Sequence, residues 1–373
     1  MKGKEKYYFG SLWILTLFKF FYQFVWHFSG MHNFELFHLI PTFAFLINKK
    51  DRIWGAQVSW AICYFLAAFV KIHESWIVGS YFSSLSLGLP LVPKIFIPFL
   101  TQSVIIFEIF LSWGLLSEKY RKMSLVLWTF FHVYSVVLVG YYYPTRCILI
   151  LYSLFLGKLS EEKKFLKISP LSILFFGVVI FFQVIPLLYS EDQKRTLRFE
   201  GYAYNMIDAN FQCVNKTTKI INGLRQEQIE QNTSSMHRCS PRLILERIKI
   251  QCEKNTSTQV EWILYQSING NPFYEIVNEV NACELKFSLF GENKWIKNQS
   301  DKLVGYPKHN AVTGNQTFQM QAMNSIIFKD RVIENTSIQT FILNRYNYFY
   351  SFYLLLWVGM FTWVCFSNLR SKK

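Results

Sequence analysis

Charge is in short supply in this chain. Only 17% of its 373 residues are Asp, Glu, Lys or Arg, and the acidic set of 24 is well below the basic set of 39. Cysteine is sparse as well, 7 in all, which excludes a small disulfide-held scaffold. A disordered chain is excluded too, because 51% of the residues are hydrophobic. No His-x3-His or Cys-x2-Cys spacing occurs, so no metal centre is expected. A Gly-rich phosphate loop and a nucleophile elbow are both missing, which leaves nucleotide and serine-hydrolase chemistry without their tools. No internal repeat is visible. The formal charge of +15 does not read as nucleic-acid binding, because much of the excess sits in short clusters between long apolar runs. Charge in that arrangement orients a membrane protein, with lipid as its surroundings.

What is abundant is apolar length. Crossing a hydrocarbon core of about 30 Å takes about 20 mostly apolar residues. Runs at 7–26, 53–72, 95–116, 123–143, 169–189 and 346–368 qualify, and two shorter ones lie at 34–47 and 147–157. With Lys2, Lys4 and Lys6 in the cytosol, counting both short runs also places the basic clusters at 49–52, 118–122, 158–167 and 370–373 there. The expected fold class is a multi-pass α-helical membrane protein of about eight spans, with a β-rich α+β lumenal domain before the last span. Its parts are a helical membrane domain over 1–190, a lumenal glycosylated domain over 191–345, and an anchor with a basic tail over 346–373. The first run lacks a small-residue cleavage site and reads as an anchor rather than a signal peptide.

The stretch expected in the lumen carries six Asn-x-Ser/Thr acceptors: Asn215, Asn232, Asn255, Asn298, Asn315 and Asn335. None occurs in the membrane half, so the expected location is the endoplasmic reticulum membrane. Cys213, Cys239, Cys252 and Cys283 share this stretch, which suits two disulfides, and three connectivities stay open. Residues 260–268 and 286–290 read as strands and 242–252 as a helix, with a turn at 269–272.

Ionisable residues within membrane helices are costly and become functional candidates. Lys71 closes the third run, with His73 and Glu74 just beyond it. Glu108 and His132 lie inside later runs, and His27 and His32 occupy the first lumenal turn. A lysine kept out of bulk water loses solvation of its charged form and becomes a usable general base. Each residue also has a plainer reading. Lys71 at a helix end suits a snorkelling side chain, His132 a core histidine, and Glu108 the neutraliser of a nearby cation.

These residues resemble a family. Ala67-Ala68-Phe69-Val70-Lys71-Ile72-His73-Glu74-Ser75-Trp76 is similar to a segment of the vitamin K-dependent gamma-glutamyl carboxylases and their horizontally-transferred-transmembrane-domain relatives. There a helix ends in a lysine and a Trp follows five positions on. The ungapped interval from Glu108 to His132 matches the family's acidic residue and aromatic-His pair, and 28–34 is similar to its active-site histidine segment, at His32. Residues 201–207, with Tyr204, and 262–273 resemble segments farther along the family sequence.

The resemblance implies carboxylation of protein glutamate residues coupled to epoxidation of vitamin K hydroquinone, with oxygen and carbon dioxide as co-substrates. Lys71 would be the base and His32 would orient the quinol. Glu108, His132 and His73 would support them electrostatically, and Trp76 and Tyr204 would lie with His32 against the cofactor. The partner would be a lumenal glutamate-containing protein. Met31, in place of an Asn, and the compact lumenal region suit an alternative. In that alternative the chain is a non-carboxylating relative that acts as a lumenal binding or processing factor.

Overall fold

A computed structural model describes residues 2–21, 32–47, 52–83, 89–139, 142–156, 170–185, 211–232, 239–254, 258–268, 273–289, 291–297, 305–306 and 335–370. The helical part comprises α1 (Lys2–Phe20), α2 (His32–Ile47), α3 (Arg52–Val70), the short α4 (Glu74–Ile77) and α5 (Ser80–Ser83), α6 (Ile97–Gly114), α7 (Arg121–Val139), α8 (Tyr142–Phe155) and α9 (Pro170–Val184). After a sheet with its helix α10 (Pro241–Lys254), the chain returns to helix in α11 (Ser337–Leu343) and α12 (Tyr346–Arg370).

The organising element is α3. Every residue from Trp54 to Ala68 is buried, so the helix is apolar all round and is covered by α2, α6, α8 and α9. Small residues at Gly55, Ala56, Ser59, Ala61, Ala67 and Ala68 let its neighbours approach, while Trp60, Tyr64 and Phe65 fill the gaps between them. The C-terminal helix α12 packs on α4 and α6. Its Trp357 donates from Nε1 to the Phe65 carbonyl at 2.8 Å and stacks on the Phe65 ring, with centroids 4.5 Å apart.

The expected eight crossings are not found. Among the described residues two helices, Arg52–Val70 and Lys94–Gly114, are long and apolar enough to cross a bilayer, while Phe9–Phe20, Phe37–Ile47 and Ile173–Val184 are apolar but shorter. The difference lies in what the runs contain. The helix α1 begins with Lys2, Lys4, Glu5 and Lys6 inside it, α7 opens on Arg121 and Lys122, and α12 is rich in Tyr, Asn and Ser. Tyr and Trp are amphipathic and lower the mean hydropathy of a run, although they pack well inside a protein and sit well at a membrane interface. Even Arg52–Val70 has 83% of its apolar window inside the protein, which suits a core helix as well as a span.

Many large apolar side chains nonetheless face outward. They include Phe99, Ile106 and Phe110 on α6, Val126, Phe130 and Val133 on α7, Ile173 and Leu174 on α9, and Leu355, Trp363 and Phe366 on α12.

The sheet is antiparallel throughout, in the order β2-β1-β3-β4-β5. Its strands are β1 (Phe211–Ile221), β2 (Leu224–Asn232), β3 (Thr258–Ile268), β4 (Phe273–Glu279) and β5 (Gly305–Tyr306). A two-residue loop, Asn222-Gly223, joins β1 to β2 with φ of 50° and 80°, as the tightest hairpins require. Ile244, Leu245 and Ile248 recur at helical spacing along α10 and cover Trp262 and Leu264 of β3.

Two disulfides fasten this layer, Cys213–Cys239 and Cys252–Cys283, which selects one of the three open connectivities. The strand expected at 286–290 is absent over its described residues, 286–289. There Asn293 bonds the Ser288 backbone on both sides, so a side chain takes the place of a neighbouring strand. The turn expected at 269–272 lies outside the described residues.

Candidate functional site

The turn after α3 builds the site. Leaving the helix, Lys71 donates its backbone N–H to the Ala68 carbonyl at 3.1 Å, and the chain reverses through Ile72 and His73 into α4. The side chain of Lys71 does not follow the chain outward. Its Nζ folds back toward the Ala67 carbonyl (3.4 Å) and meets both carboxylate oxygens of Glu108 on α6, at 2.8 and 2.7 Å. Lys71 is 4% exposed and Glu108 2%. The amine is therefore not snorkelling, and the plainer reading of Glu108 as the neutraliser of a nearby cation is met with Lys71 as that cation. Trp76 completes the group, its ring centroid 5.3 Å from Nζ. A buried pair this close compensates two costly desolvations, and either partner left alone would be a liability.

Neighbouring polar side chains hold the turn in place. Gln102 donates to the Ile77 carbonyl at 2.9 Å and accepts from the Tyr353 hydroxyl at 2.7 Å. Gln339 of α11 donates to the Val78 carbonyl at 3.1 Å, and Thr336 with Gln339 forms a capping box at the start of that helix. Gly79 has φ of +78°, and a Cβ there would stand 2.8 Å from Ile97 Cγ2. Only glycine fits that corner, which sets α4 against the start of α6.

Lys71, Glu108 and Trp76 face a cavity of about 490 Å³. Its remaining wall is almost wholly apolar, with Phe82, Phe107 and Phe131 prominent. At its mouth stand Leu91, Leu100 and Phe130, all three exposed to the outside of the protein. Tyr134 donates to the Pro90 carbonyl at 2.6 Å and fastens the Leu89–Val92 turn over this opening. Volume and lining suit a small, mostly apolar ligand with one or two polar atoms.

The other expected residues divide. His132 is buried behind the cavity wall, its Nε2 2.5 Å from the Tyr64 hydroxyl. His73 caps α4, accepting the Ser75 N–H on Nδ1 at 3.1 Å, and does not line the cavity. His32 is the first residue of α2, and its side chain lies outside what is described. Tyr204 falls outside the described residues altogether. Among the described residues no group of His, Cys, Asp and Glu is placed to hold a metal.

Asn215 is buried in β1, where it accepts from Trp262 Nε1 at 2.7 Å and donates to Glu230 at 3.4 Å, an environment with little room for a glycan. Asn335, by contrast, is exposed just before α11. Asn232 ends β2 with its side chain outside the description, and Asn255, Asn298 and Asn315 lie outside the described residues.

Sequence reasoning overlooked Tyr64. A signal existed: it precedes Lys71 by seven positions, two turns on the same face of α3. No family model, no curated protein and no solved structure matches this chain.

Proposed function

We propose that this protein is a membrane-embedded carboxylase of the endoplasmic reticulum that modifies protein glutamate residues with the help of vitamin K hydroquinone. The observation that carries the reading is the burial of Lys71 against Glu108 at the wall of an aromatic, nearly apolar cavity. Trp76, Phe107 and Phe131 of the cavity lining would flank the flat ring of a quinol, and Lys71 would lie near one of its hydroxyls. When bound with oxygen, the hydroquinone supplies the strong base that removal of a glutamate γ-proton demands, and carbon dioxide is the co-substrate that adds to the carbon so exposed.

The protein's own contribution is to move one proton and to keep water away. Passing a proton from Nζ to the Glu108 carboxylate turns the ion pair into a neutral amine and acid without changing the net charge, so an apolar site opposes it little. The neutral amine can then accept a hydroxyl proton at Nζ. The dry lining protects a strongly basic species from quenching by bulk solvent.

Membrane residence is supported by the outward apolar residues on α6, α7, α9 and α12, which a lipid surrounding would cover. The two disulfides support an oxidising compartment for the sheet layer. A lumenal protein substrate would present its glutamate at the end of α3 that carries Lys71.

The test is a microsomal assay with reduced vitamin K, labelled bicarbonate and glutamate-containing peptides, comparing the wild type with Lys71→Ala. Label incorporation that disappears in the variant is the expected result. A correctly inserted wild type that incorporates no label with any of a range of peptides leaves the non-carboxylating binding or processing role in its place.

A further inference from the structure

The amine and hydroxyl protons on the cavity wall are already engaged by the protein. The Lys71 ammonium carries three, and three acceptors surround it: Glu108 Oε1 at 2.8 Å, Glu108 Oε2 at 2.7 Å and the Ala67 carbonyl at 3.4 Å. Passing one of these protons across to the carboxyl leaves the number unchanged, since it still lies between the two groups. On α6, Thr101 donates to the Ile97 and Pro98 carbonyls at 3.1 and 3.0 Å, and Ser103 to the Phe99 carbonyl at 2.7 Å. On α7, Ser135 donates to the Phe131 carbonyl at 2.7 Å, and Tyr134 to Pro90. The other two hydroxyls are held by groups outside the wall, Tyr64 by His132 and Cys147, and Tyr143 by Cys147. The indole nitrogen of Trp76 is itself buried.

Acceptors are differently placed. A carboxylate has about four lone-pair sites, and among the described residues Glu108 accepts from Lys71 alone, once at each oxygen. About half of its capacity is therefore unused. Glu108 is 2% exposed and lines the cavity, so a ligand there is placed to supply the missing donor. The charge of that ligand is constrained as well. The ion pair is neutral as a unit and its surroundings are almost wholly apolar, so a charged molecule would bring an uncompensated charge into a dry site.

We propose that Glu108 is the polar anchor of this cavity and accepts the hydroxyl proton of an uncharged, mostly apolar alcohol or phenol. Ethers and ketones of the same shape bind poorly, because their oxygen leaves the hydrogen bonds of water for a wall whose side chains offer it no donor. In the resting pair Lys71 orients the accepting carboxylate. A quinol is one member of the class, but the class follows from the wall, and Glu108 keeps this role whether or not the protein is a carboxylase.

The experiment is equilibrium binding of 2-naphthol and 2-methoxynaphthalene to the full chain in lipid nanodiscs, taken as the excess over empty nanodiscs so that partition into lipid cancels. The probes share a ring system and differ in whether the oxygen carries a proton. A hydrogen bond to a charged acceptor predicts a preference for the naphthol of about tenfold or more. The double variant Glu108→Leu with Lys71→Met, which strands no charge, should bind both with a ratio near one. Emission of the bound naphthol in the wild type gives a readout that needs no variant: a hydroxyl resting on a carboxylate loses its proton on excitation, so the naphtholate band is expected. Equal binding, a preference for the ether, or emission from the neutral form alone overturns the proposal. A preference that survives in the double variant shows a different acceptor and overturns the place of Glu108, and a wild type that binds neither probe overturns it too. Each of these results leaves the carboxylase reading to the label assay with Lys71→Ala, which decides it separately.

Discussion

Removing one partner of the Lys71–Glu108 pair is the sharpest perturbation the structure offers. The charges meet at 2.7 Å with side chains 4% and 3% exposed, so neither group can recover its hydration by turning outward. At an effective dielectric of about 20, two unit charges at this separation attract by about 6 kcal/mol, most of which repays desolvation. Breaking such a pair from one side costs about 3–5 kcal/mol, because the remaining charge is stranded. Glu108→Leu and Lys71→Met should each lower unfolding free energy by that amount, measured by denaturant titration in detergent micelles. The double variant, which strands nothing and restores an apolar wall, should lose far less than the sum of the two. A coupling of at least about 2 kcal/mol is expected from the cycle. If the two losses simply added to within about 0.5 kcal/mol, the pair would be energetically independent, and the description of a buried, mutually compensating pair would fail.

Other outcomes follow from particular contacts. Gly79→Ala combines a disallowed φ with a 2.8 Å clash against Ile97, so it should destabilise by more than about 1 kcal/mol and loosen the α4 turn, read as a lower melting temperature together with weaker 2-naphthol binding. In a eukaryotic host Asn335→Gln should remove one glycan from the electrophoretic ladder while Asn215→Gln leaves it unchanged; the reverse pattern would contradict the described sheet. Each disulfide closes a loop of 26 or 31 residues, and mutating either pair to Ser should cost about 3.5 kcal/mol in the unfolding of this layer. Unchanged denaturation of both pair variants would show that α10 and the sheet hold together by packing alone.

How far the sequence could be read differs from residue to residue. Helices are visible wherever apolar residues run on, and α10 and β3 are legible from spacing. A hydropathy run, however, does not say what surrounds it. Residues 53–72 and 346–368 both read as spans; the helix Arg52–Val70 keeps the length and apolarity for a crossing although most of it lies inside the protein, whereas Tyr346–Arg370, with its Tyr, Asn and Ser, does not. The count of eight failed at runs of the second kind. Lys71, Glu108 and His132 were candidates because an ionisable group among apolar neighbours is costly wherever it lies. Tyr64 carries no charge to mark it, and its one signal, the seven-residue spacing before Lys71 on the same face of α3, means little in an aromatic-rich helix until its hydroxyl has a partner.

By itself, the sequence determined the quantities that need only neighbours along the chain. These are the apolar segments, an even set of four cysteines in one stretch, the acceptor motifs, and the few charges stranded in greasy surroundings. Tertiary structure alone decided which of them meet: Nζ of Lys71 with the carboxylate of Glu108, Tyr64 with His132, Cys213 with Cys239 and Cys252 with Cys283, and the Asn215 amide with Trp262. The reason is physical. Burial and pairing depend on distances in space between residues many positions apart, and only the packing of α3 among its neighbours, and of α10 on the sheet, sets those distances.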